Sequence, residues 1–108
     1  GRKMKIQGAA EEVLNSLKDK YFVVLTTCPD EMTAERLAKT LVEERLAACV
    51  NRLPGMRSTY AWQGQVQDDP EVLLIAKTNG ERLATLSARV QELHPYELPE
   101  VIALPVAA

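Results

Sequence analysis

The stretch from Leu46 to Thr78 constrains this chain more than any other, because it reads as two long strands folded back on each other at Trp62-Gln63-Gly64-Gln65. A strand advances about 3.3 Å per residue, so arms of roughly a dozen residues span on the order of 40 Å. A compact domain of this length has a radius of gyration near ~13 Å. The tip must therefore stand clear of its own domain. It carries Tyr60 and Trp62 on one face of an alternating strand, and an apolar ladder on a free edge invites pairing with another chain. A short hairpin with one half-buried Trp is the blander reading. An obligate oligomer that uses Tyr60 and Trp62 as interface residues is the sharper one.

A chain of 108 residues holds one two-layer core and not two. Hydrophobic residues make up 46% and charged residues 26%, the balance of a chain that folds rather than one that stays disordered. The net charge is −2 with scattered basic residues. The electrostatic footprint of a nucleic-acid binder is thus missing. The apolar runs are strand-sized and no signal-peptide pattern opens the chain, which leads to the expectation of a soluble cytoplasmic protein with no membrane partner. Cys28 and Cys49 fall at opposite ends of parallel strands, beyond the Cα separation of about 7 Å that a disulfide tolerates. Two free thiols fit a reducing compartment.

Residues 1–20 read as a leader or short helix, with Val13, Leu14 and Leu17 at helical spacing between Ala9 and Lys18. Residues 21–108 form the domain. Tyr21 to Thr27 is a β-rich run ended by Cys28-Pro29-Asp30, where Asp30 caps the next helix. From Glu31 to Arg45 the apolar positions Ala34, Leu37, Ala38, Leu41 and Val42 recur at three and four, the pattern of a helix lying on a sheet. Strand two starts at Cys49, with a kink or bulge at Pro54-Gly55. Strand three returns through Val66, breaks at Asp68-Asp69-Pro70 opposite that kink, and resumes over Val72–Lys77. Thr78 followed by Glu81 is a capping-box pattern that opens a helix with Leu83, Leu86, Val90 and Leu93 inward. That helix stops at His94-Pro95, and Val101 to Val106 is the last strand. The order β-α-β-β-α-β with right-handed crossovers predicts an α+β, ferredoxin-like sandwich: a four-stranded antiparallel sheet with both helices on one face. Its other face is bare, and each Leu or Val there forgoes roughly 1.5–3 kcal/mol of burial. Further subunits are the natural cover.

Parallel running of strand one and helix two brings Cys28 and His94 to one edge. Thiolate and imidazole suit copper or zinc, and Glu97 and Glu100 just beyond add carboxylates. The plainer alternative makes His94 a cation at the negative pole of a helix and Cys28 a small core residue. A Cys28–His94 nucleophile pair has no orienting third group. The acidic turn Thr27-Cys28-Pro29-Asp30 lacks the Gly and Arg of a phosphate-holding loop, and no Walker loop, dinucleotide fingerprint or zinc-finger spacing occurs. Nothing points to an enzyme or to an organic cofactor.

Several pieces taken together carry a resemblance: Thr27-Cys28-Pro29-Asp30-Glu31, Glu44-Arg45-Leu46-Ala47-Ala48-Cys49-Val50-Asn51, Leu53-Pro54-Gly55, Tyr60-Ala61-Trp62-Gln63-Gly64, His94-Pro95-Tyr96-Glu97, and Pro99-Glu100-Val101-Ile102-Ala103-Leu104-Pro105-Val106. Over Tyr21–Val106 the chain resembles the CutA divalent-cation tolerance proteins. The resemblance implies a cytoplasmic homotrimer of ferredoxin-like subunits, similar in architecture to the PII signalling proteins, that binds copper or another divalent metal ion. In some members copper is linked to a cysteine near the end of strand one and two histidines closing helix two. Here those positions are Thr26, Leu93 and His94, with Cys28 two residues beyond the first. Members usually continue past the last strand into a helix with Tyr and Trp, whereas this chain ends at Ala107-Ala108 and carries the segment before Tyr21. Either that tail lies outside this sequence or the leading segment takes part of its place.

The leading expectation is a trimeric, non-enzymatic protein of divalent-cation tolerance that uses His94, Cys28 and Glu100 as metal ligands. The alternative is a PII-like module holding a small anionic effector through groups such as Lys77 and Arg57. A third is a trimer that only scaffolds partner proteins.

Overall fold

A computed structural model describes residues 17–96 and 98–107. The expected leader helix lies almost wholly outside the described residues, as does Glu97. The elements are β1 (Tyr21–Cys28), α1 (Glu31–Glu43), β2 (Cys49–Trp62), β3 (Gln65–Asn79), α2 (Gly80–Leu93) and β4 (Ile102–Pro105). They build one antiparallel sheet in the order β2-β3-β1-β4. This is the expected ferredoxin-like α+β arrangement.

Strand alternation decides the layers. Phe22, Val24, Thr26 and Cys28 on β1, with Val72, Leu74, Ala76 and Thr78 on β3, are buried. They meet Ala34, Leu37, Ala38 and Leu41 of α1 and Leu86 and Val90 of α2 in one core. Val42, expected inward, is instead exposed: Leu41 takes the core-facing place at this turn and leaves its neighbour on the flank. Asp30 caps α1 as expected, its Oδ1 accepting from the Thr33 N–H at 2.7 Å.

The other end of α1 closes on a residue that offers no sequence signal. Leu46 N–H donates to Leu41 O at 2.9 Å and Arg45 N–H to Val42 O at 3.0 Å, the paired bonds of a Schellman turn. That turn requires a left-handed residue, and it is Arg45, at φ 60°.

The capping box expected at Thr78 does not form. Asn79 is the cap of α2, with its Oδ1 accepting from Arg82 N–H at 3.0 Å. Thr78 still belongs to β3, paired with Phe22, and its buried hydroxyl donates to Leu46 O at 2.7 Å. Thr78 thus ties the exit of α1 to the end of β3.

The hairpin is the long one expected. Trp62 pairs with Gln65 across a two-residue turn with Gln63 at φ 49° and Gly64 at φ 76°, the left-handed pair of a type I′ turn whose twist matches that of the strands. Pairing passes from Leu53–Leu73 to Met56–Glu71, so Pro54 and Gly55, the latter at φ 84°, bulge opposite Val72 alone. The break expected at Asp68-Asp69-Pro70 is absent: these residues pair with Thr59, Ser58 and Arg57 without a shift. β1 stops pairing with β3 at Cys28–Val72, so β3 has a neighbour on only one side at Pro70, where a missing N–H is tolerated. Past this point the arm stands alone. The molecule measures 42 Å along its longest axis, with a radius of gyration of 15.0 Å against the ~13 Å of a compact chain.

Candidate functional site

The edge where β1 and α2 end is built as the topology requires. His94 follows the last residue of α2 with extended backbone (ψ 139°), the conformation favoured before Pro95. Its ring is buried. Nε2 lies 2.6 Å from Thr27 O, and Nδ1 accepts from Tyr96 N–H at 3.1 Å. A ring nitrogen that accepts from an amide has no hydrogen, so Nε2 carries the proton and donates it to Thr27 O. Both nitrogens are therefore consumed within the protein. The Tyr96 ring packs beside the imidazole with centroids 4.7 Å apart.

Cys28, adjacent to the Thr27 anchor, is fully buried. Burial, followed by the nearby charges of Asp30 and Glu71, pushes its thiol up to about 11. It is a protonated core group at neutral pH, whereas ligation and nucleophilic attack both need the thiolate. Glu100 reaches the same edge through its backbone: its carbonyl accepts from the buried Thr26 hydroxyl at 2.7 Å, while the residue itself is exposed. His94, Cys28 and Glu100 thus gather near the end of β1, where His94 and the Glu100 backbone anchor the crossover from α2 to β4 and Cys28 packs into the core. Among the described residues no group of three or more His, Cys, Asp or Glu side chains could hold a metal ion. Thr26 is the anchoring residue that sequence reasoning passed over as a missing cysteine, though a threonine on the core-facing side of a strand signals an internal partner.

Outside this anchor lies a cleft of about 1030 Å³ whose lining includes Tyr60, Trp62, Asp69, Glu71, Tyr96 and Glu100. Tyr60 Oη donates to Asp69 Oδ2, and Tyr96 Oη lies 3.5 Å from Glu71 Oε2. The bonded Asp69 carboxylate raises the Tyr60 phenol. Burial and then Glu71 raise that of Tyr96. Both phenols stay protonated donors.

The cations named for an anionic effector do not converge. Arg57 is paired with Asp68 at 2.8 Å, and Lys77 lies seven positions along β3 from Pro70, the partner of Arg57, about 23 Å by strand rise.

The sheet face away from the helices is apolar and uncovered by the described residues. On it Leu53 pairs with Leu73, and in the next rung of the same face Ile75, Leu25 and Ile102 pair in a row. Leu53 and Ile102 are 55% and 40% exposed, and on the arm Trp62 and Val66 reach 58% and 76%.

The sequence profile of the CutA1 divalent ion tolerance protein family matches residues 22–108. The chain belongs to this family. It is 55% identical over 85 residues to the divalent-cation tolerance protein CutA of Thermus thermophilus, covering 79% of this chain and 82% of that one. It is 49% identical over 80 residues to human protein CutA, covering 74% of this chain and 45% of the relative; it spans less than half the length of that relative and of the mouse one. The Thermus structure superposes with a TM-score of 0.79 at 53% identity, over 82% of this chain and 85% of that one. CutA1 of Oryza sativa superposes with a TM-score of 0.82 at 44% identity, over 85% and 84%. Compartment varies among CutA proteins by name, with a chloroplastic relative in Arabidopsis and a periplasmic one in Archaeoglobus. Among the described residues no helix is long and apolar enough to cross a membrane.

Proposed function

We propose that this protein acts in divalent-cation tolerance as a non-enzymatic homotrimer whose subunits join through the open sheet face and the hairpin arm. The observation that carries the reading is the uncovered apolar sheet face that includes Leu53 and Ile102, continued along the arm by Trp62 and Val66. Each such side chain gains roughly 1.5–3 kcal/mol when it is covered, and association of identical chains with closed symmetry covers the same patch on every copy. The names of the relatives support the divalent-cation role.

Copper or another divalent ion enters this reading as cargo or effector, with no organic cofactor. The His94–Cys28–Glu100 set does not fit a soft-metal site as it stands, because both imidazole nitrogens are bonded to backbone groups and the thiol keeps its proton. A role for His94 in metal binding would require it to leave Thr27 and Tyr96. Cytoplasmic residence belongs to the same proposal, supported by two unbridged cysteines of the kind that reducing compartments keep.

The test is native mass spectrometry over a range of concentrations, beside calorimetric titration of the reduced protein with Cu(II) and Zn(II). A mass three times the 12.0 kDa chain that persists on dilution, with saturable metal uptake, is the expected result. A monomer at every concentration would sink the assembly, and a trimer without metal uptake would sink the cargo.

A further inference from the structure

A second cleft, of about 820 Å³, opens at the opposite end of the sheet from the hairpin tip. β1 and β2 both run antiparallel to β3 and so share a direction. Tyr21–Val23 at the start of β1 therefore lie far from Trp62 at the end of β2. The cleft sits between the exit of α1 and the entry of α2, and its lining includes Phe22, Val42 and Ala47 as an apolar floor with Arg45, Arg82 and Lys77 as charged groups. Among the described residues no carboxylate lines it and neither arginine belongs to an ion pair. Val42 is the residue that the helical pattern sends inward and the fold leaves exposed. Arg45 stands at φ 60°, a position that glycine fills without steric cost and any side chain fills with strain. Residues held in such conformations cluster at binding sites, and here the strained residue is a cation in the cleft lining.

We propose that this cleft binds a small organic anion, an aryl or alkyl phosphate or carboxylate. Its apolar part lies on Phe22, Val42 and Ala47, and its charged end is held by Arg45 and Arg82. The planar guanidinium fork suits both kinds of anionic group, and an apolar floor with few polar anchors is the usual build of a small-molecule site. The site lies at the opposite end of the sheet from the arm and the metal cleft, while Tyr21, Val23 and Lys77 of its lining belong to the sheet face proposed for assembly, so the titration is read on the assembled protein.

Phenyl phosphate is the probe, titrated calorimetrically into the full chain with inorganic phosphate and phenol titrated beside it. Phenyl phosphate binds at least about tenfold more tightly than either fragment, because each fragment engages half of the cleft. Arg45→Gly weakens this binding while the protein melts no lower than wild type, since glycine relieves the left-handed strain. Arg82→Gln weakens it as well. Equal affinity for phenyl phosphate and inorganic phosphate, binding indifferent to both substitutions, a lower melting temperature for Arg45→Gly, or no phenyl phosphate heat at millimolar concentration would each overturn the proposal.

Discussion

Replacing His94 separates a structural histidine from a metal ligand. In His94→Ala the Thr27 carbonyl and the Tyr96 amide each lose a partner at a part-buried site. Two hydrogen bonds at about 1 kcal/mol each, plus part of the desolvation cost of the orphaned groups, amount to roughly 3 kcal/mol. For a domain of this size 1 kcal/mol moves the melting temperature by about 4–8 °C, so a fall of roughly 12–24 °C is expected. His94→Gln is the informative partner, because a carboxamide can donate to Thr27 O and accept from Tyr96 N–H; it should recover a good part of the loss. Thermal melts at matched protein concentration, in chelator and then in Cu(II), check both variants. A ligand role predicts the reverse pattern: two variants as stable as wild type in chelator, both without the stabilisation that copper gives. If His94→Ala melts within about a degree of wild type in chelator, the anchoring argument is refuted.

Four further outcomes follow from the same geometry. Thr26→Val removes the hydroxyl that holds Glu100 O at nearly constant volume and should cost about 1–2 kcal/mol in urea unfolding; an unchanged midpoint would remove Thr26 from the anchor. The raised thiol of Cys28 makes the folded state hold a proton that the unfolded chain releases near the ordinary thiol value. Its contribution is intact at neutral pH and below, and roughly 2 kcal/mol should be lost as pH climbs from about 9 toward 11. Cys28→Ser or Cys28→Ala unfolding curves with the same alkaline slope as wild type would contradict this. In the native protein an alkylating reagent should modify exposed Cys49 alone, with Cys28 reacting only after denaturation; mass spectrometry of the labelled chain reads the count. Trp62→Ala should weaken assembly by about 2 kcal/mol or more if the ring is an interface anchor, and sedimentation as the same oligomer down to the same concentration would argue against that.

Much of the fold was legible because period and punctuation agree along the chain. Alternation in Tyr21–Cys28, spacing of three and four in α1 and α2, Asp30 at a helix entry and Gly64 at the hairpin tip each state their structure locally. Where two local signals competed, sheet pairing decided. Thr78 and Asn79 are both good caps, and the pairing of Thr78 with Phe22 gives the cap to Asn79. Asp68-Asp69-Pro70 has the composition of a break, yet pairing with β2 carries the strand straight through. The site was legible only in its residue types. That His94 and Cys28 share an edge follows from topology, but the groups that occupy the imidazole are backbone atoms of Thr27 and Tyr96, and a sequence does not display a free carbonyl. The same holds for Arg45, whose left-handed backbone is a product of the Schellman turn. The side chains that look most reactive in this sequence are thus spent on closing the fold, and the surfaces proposed for assembly and binding lie where the fold leaves apolar groups without partners: the open sheet face, the arm, and the arginine-lined cleft at its far end.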